Sequence, residues 1–296
     1  MFEFLKAILL GIVEGITEWL PISSTGHMIL VDEFLTLNVS DAFKKFFLVV
    51  IQLGAILAVI ILFFDKIWPF HRKKTAVKPY FLSDGKPLSA FKNFCNNYIY
   101  VEKFVLWFKI LLASVPAAVF GLAFDDQIDA FLTGESRAFV VAAMLILYGI
   151  LFIVIERGQK KESILTLDSI SYKTALFIGL IQCLALVPGT SRSGTTILGA
   201  VLLGASRTVA AEFSFFLSIP AMAGGSGIEL LKFLLDGNSF SSYELALLGV
   251  GTAVAFIVSV LAIKFLMSYI RRHDFKAFGW YRIVLGVVLL IYFAIV

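Results

Sequence analysis

Two polar segments interrupt an otherwise strongly apolar chain. The first, residues 14–27, has the sequence EGITEWLPISSTGH and holds two carboxylates, two serines, a threonine and a histidine. The second, residues 188–194, has the sequence PGTSRSG and holds one arginine. Ionisable groups at membrane depth are costly and tend to mark functional sites. We therefore predict that the two segments meet and form a single site.

The two glutamates of the first segment are candidate metal ligands. Glu14 and Glu18 are four residues apart, so on a helix they share one face. Two carboxylates that lie this close repel each other, and apolar surroundings add to the cost. Mg²⁺ or Ca²⁺ would relieve both problems, because these ions prefer hard oxygen ligands. The alternative is a carboxyl pair that shares a proton or that forms an ion pair with another helix.

The hydroxyl groups and the histidine of the same segment are candidates for the chemical step. His27 can act as base, acid or nucleophile near neutral pH, although an isolated histidine there would more often be a structural hydrogen-bonding group. Ser24 is either a nucleophile or a helix cap. The nucleophile stays open between Ser24 with His27 as its base, His27 itself and a metal-activated water, and we favour the first. Ser23 and Thr25 are expected to be caps and phosphate donors.

The second segment offers an anion site. Arg192 has no acidic neighbour in its own segment, so it must contact either Glu14 and Glu18 or an anionic ligand. Hydroxyl and N–H donors at the start of a helix suit an oxyanion, and a guanidinium opposite a bound cation suits a phosphate or diphosphate. The candidate substrate-binding residues are Ser23, Thr25, Gln182, Gly189, Thr190, Ser191, Ser193, Gly194 and Thr195.

The composition predicts an all-α integral membrane protein. The 296 residues are 59% hydrophobic and only 16% charged, with a mean hydropathy of +0.93. A soluble domain of this size needs more polar surface. Apolar runs of about twenty residues are typical of helical spans, whereas the strands of a barrel alternate. The basic residues fall in loops beside these runs, so no nucleic-acid-binding signature is present. Cys95 and Cys183 are expected to be isolated thiols.

Six spans and two broken hairpins account for the apolar runs. The predicted spans are 46–64, 104–124, 137–155, 209–235, 245–270 and 283–296. The pieces 1–31 and 174–206 each stop at a proline-containing turn, and neither side of the turn is long enough to span. We predict two re-entrant hairpins, because irregular backbone is tolerated at membrane depth only where it is buried in protein or lines a cavity.

The loop charges predict the orientation of the chain. Acidic and basic loops alternate along the six spans. The acidic loops are 32–45, 125–136 and 236–244, and the basic loops are 66–103, 156–173 and 271–282, the last of which includes Arg282. Cytoplasmic loops carry the excess of lysine and arginine. The first hairpin is therefore expected to open outward, the second to enter from the cytoplasm, and both termini to lie outside.

The two halves of the chain, 1–156 and 157–296, repeat one pattern of a hairpin and three spans. At an offset of 168 positions, identical or similar residues coincide, namely Gly11 with Gly179, Glu14 with Gln182, Ser23 with Ser191 and Gly26 with Gly194. Because the halves have opposite predicted orientations, this is an inverted-topology repeat, an architecture best known from transporters. The tips of the broken helices should then face each other. Gln182 would ligate or hydrogen-bond there, or serve only in helix packing.

The two polar segments resemble motifs of the bacterial undecaprenyl-diphosphate phosphatase family, also called the bacitracin-resistance proteins. Segment 14–27 is similar to the glutamate-rich first motif of that family, and segment 188–194 is similar to the second. Weaker similarities lie at 50–54 (VIQLG) and 212–217 (EFSFFL). The resemblance covers nearly the whole chain, and the basic loop 66–103 looks like an insertion away from the site.

The resemblance implies an enzyme that removes the terminal phosphate of undecaprenyl diphosphate and so returns the lipid carrier to peptidoglycan synthesis. It implies a multi-pass protein of the bacterial plasma membrane, with a site that opens to the outer face and requires Mg²⁺ or Ca²⁺. The positions that match the family's catalytic residues are Glu14, Glu18, Ser24, His27 and Arg192. The expected partners are undecaprenyl diphosphate and membrane lipids, with no nucleic acid, and a homodimer is also considered.

Two rival functions are compatible with parts of the pattern. A lipid flippase or transporter would use the inverted repeat and the acids at the midplane. A lipid phosphatase of the phosphatidic acid phosphatase class is suggested by the Ser24 to His27 spacing. That class places a second catalytic histidine after its Ser-Arg pair, and none follows Ser191 and Arg192 in this way, so we discount it.

Overall fold

The described part of the chain folds into helices. The computed structural model describes residues 2–71, 79–81, 87, 89–131, 135–158 and 162–295, and no β-strand forms in these ranges. The α-helices are α1 Phe2–Thr17, α2 Ser24–Phe34, α3 Asp41–Leu62, α4 Phe64–Ile67, α5 Ala90–Tyr98, α6 Val101–Phe131, α7 Glu135–Arg157, α8 Tyr172–Gln182, α9 Arg192–Leu202, α10 Arg207–Leu235, α11 Ser242–Ile270 and α12 Lys276–Ile295. A single 3₁₀ turn, Cys183–Leu186, extends α8.

Six helices in the described part of the chain, α3, α6, α7, α10, α11 and α12, are long and apolar enough to cross a membrane. This confirms the predicted number of spans. Helix α10 continues without interruption through Pro220 and the glycines that follow it. Cys95 and Cys183 are both free thiols, as expected.

The predicted start of the last span is wrong. Helix α12 begins at Lys276, not at 283, because the residues before position 283 continue the helical pattern, with Phe278 packed inward and Trp280 and Tyr281 exposed. The loop assigned to 271–282 therefore ends earlier, and Arg282 lies within the helix with its side chain fully buried. A residue assigned to a solvated basic loop is thus part of the protein interior.

Many of the charged loop residues lie outside the described ranges. Residues 72–78, 82–86 and 88 of the basic loop 66–103 are among them, as are Lys160 and Lys161. The side chains of the acidic loop 125–136 also lie outside the description. The predicted charge alternation stays a prediction from the sequence.

Two helix–turn–helix units consist of helices that are shorter than the six long apolar helices. They are α1–α2 and α8–α9, and their helices have 16, 11, 11 and 11 residues. Helices α2 and α9 begin and end 168 positions apart, at 24 and 192 and at 34 and 202. The local structure thus repeats at the same offset as the sequence.

The turns of these units share an uncommon backbone conformation. Ser23 and Ser191, with φ of 74° and 69°, are the two non-glycine residues with positive φ in the described ranges. Each serine caps the following helix, since its hydroxyl accepts the N–H of Gly26 or of Gly194. A non-glycine residue with positive φ is strained and persists only where its surroundings hold it.

The long helices form the frame that positions the two units. Helix α1 lies along α11, and α8 lies along α6, so each unit packs on a long helix from the other half of the chain. Helices α7 and α12 form another extensive contact, at which Gly149 and Gly279 face each other. A Cβ atom built on either glycine would lie 2.7 Å from the carbonyl oxygen of the other. The two backbones therefore approach too closely for any side chain.

We predict that Gly149→Ala destabilises the protein by about 1–3 kcal/mol, because the added methyl group forces α7 away from α12. Thermal unfolding in detergent measures the effect. The matched control is Gly249→Ala in α11, where an added Cβ meets nothing within 4 Å. The control should be neutral or slightly stabilising, since alanine favours a helix. Equal unfolding midpoints for the two variants would contradict the close packing.

Candidate active site

Glu18 lies between the two polar segments and bonds to both. Its Oε1 accepts a hydrogen bond from Arg192 Nη2 at 2.8 Å, and its Oε2 accepts one from Ser24 Oγ at 3.0 Å. The ion pair is largely buried, with 14% of the Arg192 side chain and 9% of the Glu18 side chain exposed. The structure therefore brings the two segments together, and Arg192 meets a carboxylate directly.

Arg192 is held in place by three neighbours besides Glu18. Its Nη1 donates to the carbonyl oxygen of Ser214 in α10 at 2.8 Å. Its Nη2 lies 3.7 Å from Met222 Sδ, and its guanidinium lies 5.8 Å from the ring centroid of Trp19. A guanidinium fixed on several sides loses little conformational freedom when it binds an anion.

The backbone of Glu18 is also tied to the second segment. Glu18 follows the end of α1, with its N–H donating to the carbonyl oxygen of Glu14 at 3.0 Å. The hydroxyl of Ser193 donates to the Glu18 carbonyl oxygen at 3.0 Å. The acid at the tip of the first unit is thus anchored to the first turn of α9.

Ser24 and His27 do not pair with each other, contrary to the arrangement that the sequence favoured. The hydroxyl of Ser24 donates to Glu18. His27 Nδ1 donates to the carbonyl oxygen of Ser23 at 2.7 Å, one helical turn back, and this leaves Nε2 to accept from the Tyr281 hydroxyl at 2.7 Å. This tautomer follows from the partners. The group placed to take the Ser24 proton is therefore Glu18.

Glu14 and Gln182 occupy equivalent positions in the two units and share one unusual property. Their side chains are 1% and 3% exposed, and the Oε1 atom of each is buried without a hydrogen-bond partner. The Glu14 carboxyl group also lies against that of Glu18. Buried polar atoms normally have partners, so orphaned oxygens of this kind suit an absent ligand or ion.

A divalent cation fits the Glu14 and Glu18 pair. Within the described ranges, no group of three or more His, Cys, Asp or Glu side chains could hold a metal on its own. Mg²⁺ is commonly bound by one or two carboxylates, with substrate phosphates and water supplying the remaining oxygens. The donor set therefore matches an ion that is completed by a phosphate ligand.

Most other predicted binding residues shape the turns. The hydroxyls of Thr190 and Thr195 donate to carbonyl oxygens of their own unit, those of Val187 and Ser191. Ser191 and Ser193 hydroxyls lie 3.2 Å apart. Gly189 has φ +93°, which favours glycine there. The Gly194 N–H is capped by Ser191. Thr25 and Ser24 are half-buried at the start of α2.

Three contacts of the site were missed in the sequence. Arg282 donates to carbonyl oxygens of both turns. The Tyr281 hydroxyl bonds to His27, and the carbonyl oxygen of Ser214 accepts a hydrogen bond from Arg192. Ser214 lies in the segment 212–217, whose weak family similarity was the available signal. Tyr281 and Arg282 were hidden by the misplaced start of α12. An arginine inside an apolar helical pattern would have identified Arg282.

We predict that Glu18→Gln and Arg192→Met each destabilise the protein by about 3 kcal/mol, because either change leaves a buried charge without its partner. The double variant should lose clearly less than the sum of the single variants. Unfolding by detergent titration measures all three. The Arg271→Gln variant, at an exposed position, serves as the control. Strictly additive losses would show that the pair contributes nothing.

Comparison with known proteins agrees with the geometry. The model of the bacitracin resistance protein BacA family matches residues 7–288. An undecaprenyl-diphosphatase of Enterococcus faecalis is 57% identical over 295 residues, covering 99% of this chain and 98% of the relative. An undecaprenyl-diphosphatase 1 of Clostridioides difficile is 52% identical, covering 99% and 97%. An undecaprenyl-diphosphatase of Streptococcus thermophilus is 48% identical, covering 100% and 95%. With these matches, six apolar helices and a charge pair buried among them, the chain is a multi-pass membrane protein that belongs to the bacitracin resistance protein BacA family.

Proposed function

We propose that the protein is a membrane phosphatase that hydrolyses undecaprenyl diphosphate to undecaprenyl phosphate and inorganic phosphate, so that the lipid carrier is reused in peptidoglycan synthesis. The observation that carries the proposal is the position of Glu18, which bonds a serine hydroxyl on one side and a guanidinium on the other. A nucleophile and an anion-binding group are thus each joined by one hydrogen bond to the same base. The names of the relatives support the same reaction.

In the first step, Ser24 Oγ attacks the terminal phosphorus of the diphosphate, and its proton passes to Glu18 Oε2. The bond between that phosphorus and the bridging oxygen breaks, and undecaprenyl phosphate leaves with the electron pair. Arg192 turns its fork toward the transferred phosphoryl group, whose charge it stabilises in the transition state. Ser24 then carries the phosphoryl group.

In the second step, water attacks the phosphoserine. The protonated Glu18 returns its proton to Ser24 Oγ as the bond to phosphorus breaks. His27 lies one turn after Ser24 on the same face of α2, and its Nε2 is the basic nitrogen. Once Tyr281 releases it, this nitrogen takes the proton of the attacking water and passes it to solvent. Inorganic phosphate leaves, and Glu18 is again a carboxylate.

A divalent cation at Glu14 and Glu18 is part of this proposal. When bound, Mg²⁺ or Ca²⁺ would neutralise charge on the diphosphate. Glu14 supplies a buried oxygen without any other partner. The proposed roles of these residues are therefore to hold the ion and to keep it away from bulk water.

We also propose that α1–α2 and α8–α9 are re-entrant hairpins of an inverted-topology repeat, with the site open to the outer face of the plasma membrane. None of the four helices in these two units reaches the roughly twenty residues that a span needs. The equivalence of Ser23 and Ser191 supports the repeat, and the charges of the loops support the orientation. The outward sides of the six spans contact lipid and leave room for a homodimer. A flippase acting at the same site is not favoured, since the relatives carry the name of a diphosphatase.

We predict that Ser24→Ala and Glu18→Gln lower phosphate release from undecaprenyl diphosphate by about 100-fold or more, because the nucleophile or its base is lost. Phosphate release by the purified full chain in detergent measures the effect. Ser239→Ala, at an exposed position between α10 and α11, is the matched control. Quenching the reaction in acid should trap a phosphorylated Ser24 in the unmodified chain. Full activity of Ser24→Ala would exclude this mechanism. If water attacks the diphosphate directly, the unmodified chain would release phosphate without forming a phosphoserine.

We predict that removing divalent cations with EDTA abolishes phosphate release and that added Mg²⁺ or Ca²⁺ restores it. Glu14→Gln should raise the metal concentration needed for half-maximal activity by about 10-fold or more, since one carboxylate ligand is lost. Titration of the metal against activity measures this. Undiminished hydrolysis in EDTA would instead favour the shared-proton interpretation of Glu14 and Glu18.

A further inference from the structure

We infer that Arg282 is a positioning residue for the proposed reaction: it holds the two turns of the site at the separation that the chemistry needs. The inference rests on the proposed function. Arg282 does not contact Ser24, Glu18 or Arg192 through any hydrogen bond in the described part of the chain. Its influence on the reaction therefore passes through the backbone of the turns.

One guanidinium bonds to both turns. Arg282 Nη1 donates to the carbonyl oxygen of Pro21 at 3.3 Å. Its Nη2 donates to the carbonyl oxygens of Gly189 and Thr190, each at 2.9 Å. Pro21 lies just before the strained Ser23, and Thr190 lies just before the strained Ser191. The arginine therefore connects the two places at which the backbone turns into α2 and α9.

The charge of Arg282 has no acidic partner. The side chain is fully buried, and no salt bridge to it forms among the described residues. Its surroundings are the rings of Tyr148 and Phe152, at 5.4 and 5.9 Å, and its Nε is without a hydrogen-bond partner. Burying an unpaired charge is costly, so an apolar side chain would fill the space at lower cost if packing were its only role.

Gly194 shows that the guanidinium is fitted closely to α9. A Cβ atom at this position would lie 2.9 Å from Arg282 Nη1. Gly194 was predicted to bind substrate, but its contact with Arg282 gives a different reason for glycine here. An alanine here would displace the guanidinium without removing its charge. The Gly194→Ala variant therefore tests the effect of the position of Arg282 separately from the effect of its charge.

The turns set the reacting groups directly. Ser24 follows Ser23 in the chain, and Arg192 follows Ser191, so each lies at the first position of its helix. Their bonds to Glu18, at 3.0 and 2.8 Å, form only while the two turns keep their separation. Loss of Arg282 would leave three carbonyl oxygens without their donor and let the turns move apart.

The test compares kcat and KM for phosphate release from undecaprenyl diphosphate by the full-length chain in detergent. The variants are Arg282→Met, Arg282→Lys and Gly194→Ala, and the controls are Arg271→Gln and Gly249→Ala. Arg282→Met should lower kcat by about 100-fold with KM little changed, because misplacement of reacting groups by about 1 Å has effects of this size. The kcat of Arg282→Lys should be higher than that of Arg282→Met but lower than that of the unmodified chain. Gly194→Ala should also lower kcat, whereas its control Gly249→Ala should not.

Chemical rescue of kcat by a free guanidinium ion provides a second measurement. Added guanidinium chloride at millimolar concentration should raise the kcat of Arg282→Ala, whereas equal sodium chloride should not, and neither salt should change Arg271→Gln. Unchanged kcat in folded Arg282→Met, or an effect confined to KM, overturns the inference. If Arg282→Met fails to fold, Arg282→Lys and Gly194→Ala decide in the same way. Absence of hydrolysis by the unmodified chain overturns the proposed function and this inference together, whereas hydrolysis at the same kcat by the unmodified and Arg282→Met chains overturns the inference alone.

Discussion

The buried pair of Glu18 and Arg192 is the interaction on which the site depends. Two opposite charges in apolar surroundings are stable only when they are close and well bonded, because each alone would be far from water. Glu18 also accepts the Ser24 hydroxyl, and Arg192 also donates to Ser214. Each added bond further stabilises one partner of the pair. The six long helices then act as a rigid frame that keeps the two short units, and with them the two charges, in contact.

The same backbone turn precedes two chemically different residues. In each unit a serine with positive φ ends the turn, caps the next helix and is followed by the first residue of that helix. In the first unit that residue is Ser24, and in the second it is Arg192. Glu14 and Gln182, which coincide at the sequence offset of 168 positions, each have a buried Oε1 atom without a hydrogen-bond partner. The same local backbone geometry therefore precedes a serine in one unit and an arginine in the other.

Helix α12 is the third part of the site. Its neighbouring residues Tyr281 and Arg282 reach His27 and the carbonyl oxygens of both turns, respectively. Pairs of adjacent residues on a helix point in different directions, so one helix can serve both units at once. The serine and histidine of the first segment are consequently held apart: Ser24 turns to Glu18, and His27 turns to Tyr281.

The sequence by itself determined the class of the protein and the six spans, and it placed Glu18, Ser24 and Arg192 in two polar segments that the structure brings together. These follow from local properties, namely run length, helical spacing and the cost of charge at membrane depth. Only the tertiary structure decided which groups pair. Ser24 bonds to Glu18 and not to His27, and Arg282 lies inside the protein, because such contacts depend on how helices distant in sequence pack. Spacing along the chain limits which residues share a face, but the partner across the interface is set by the approach of another helix.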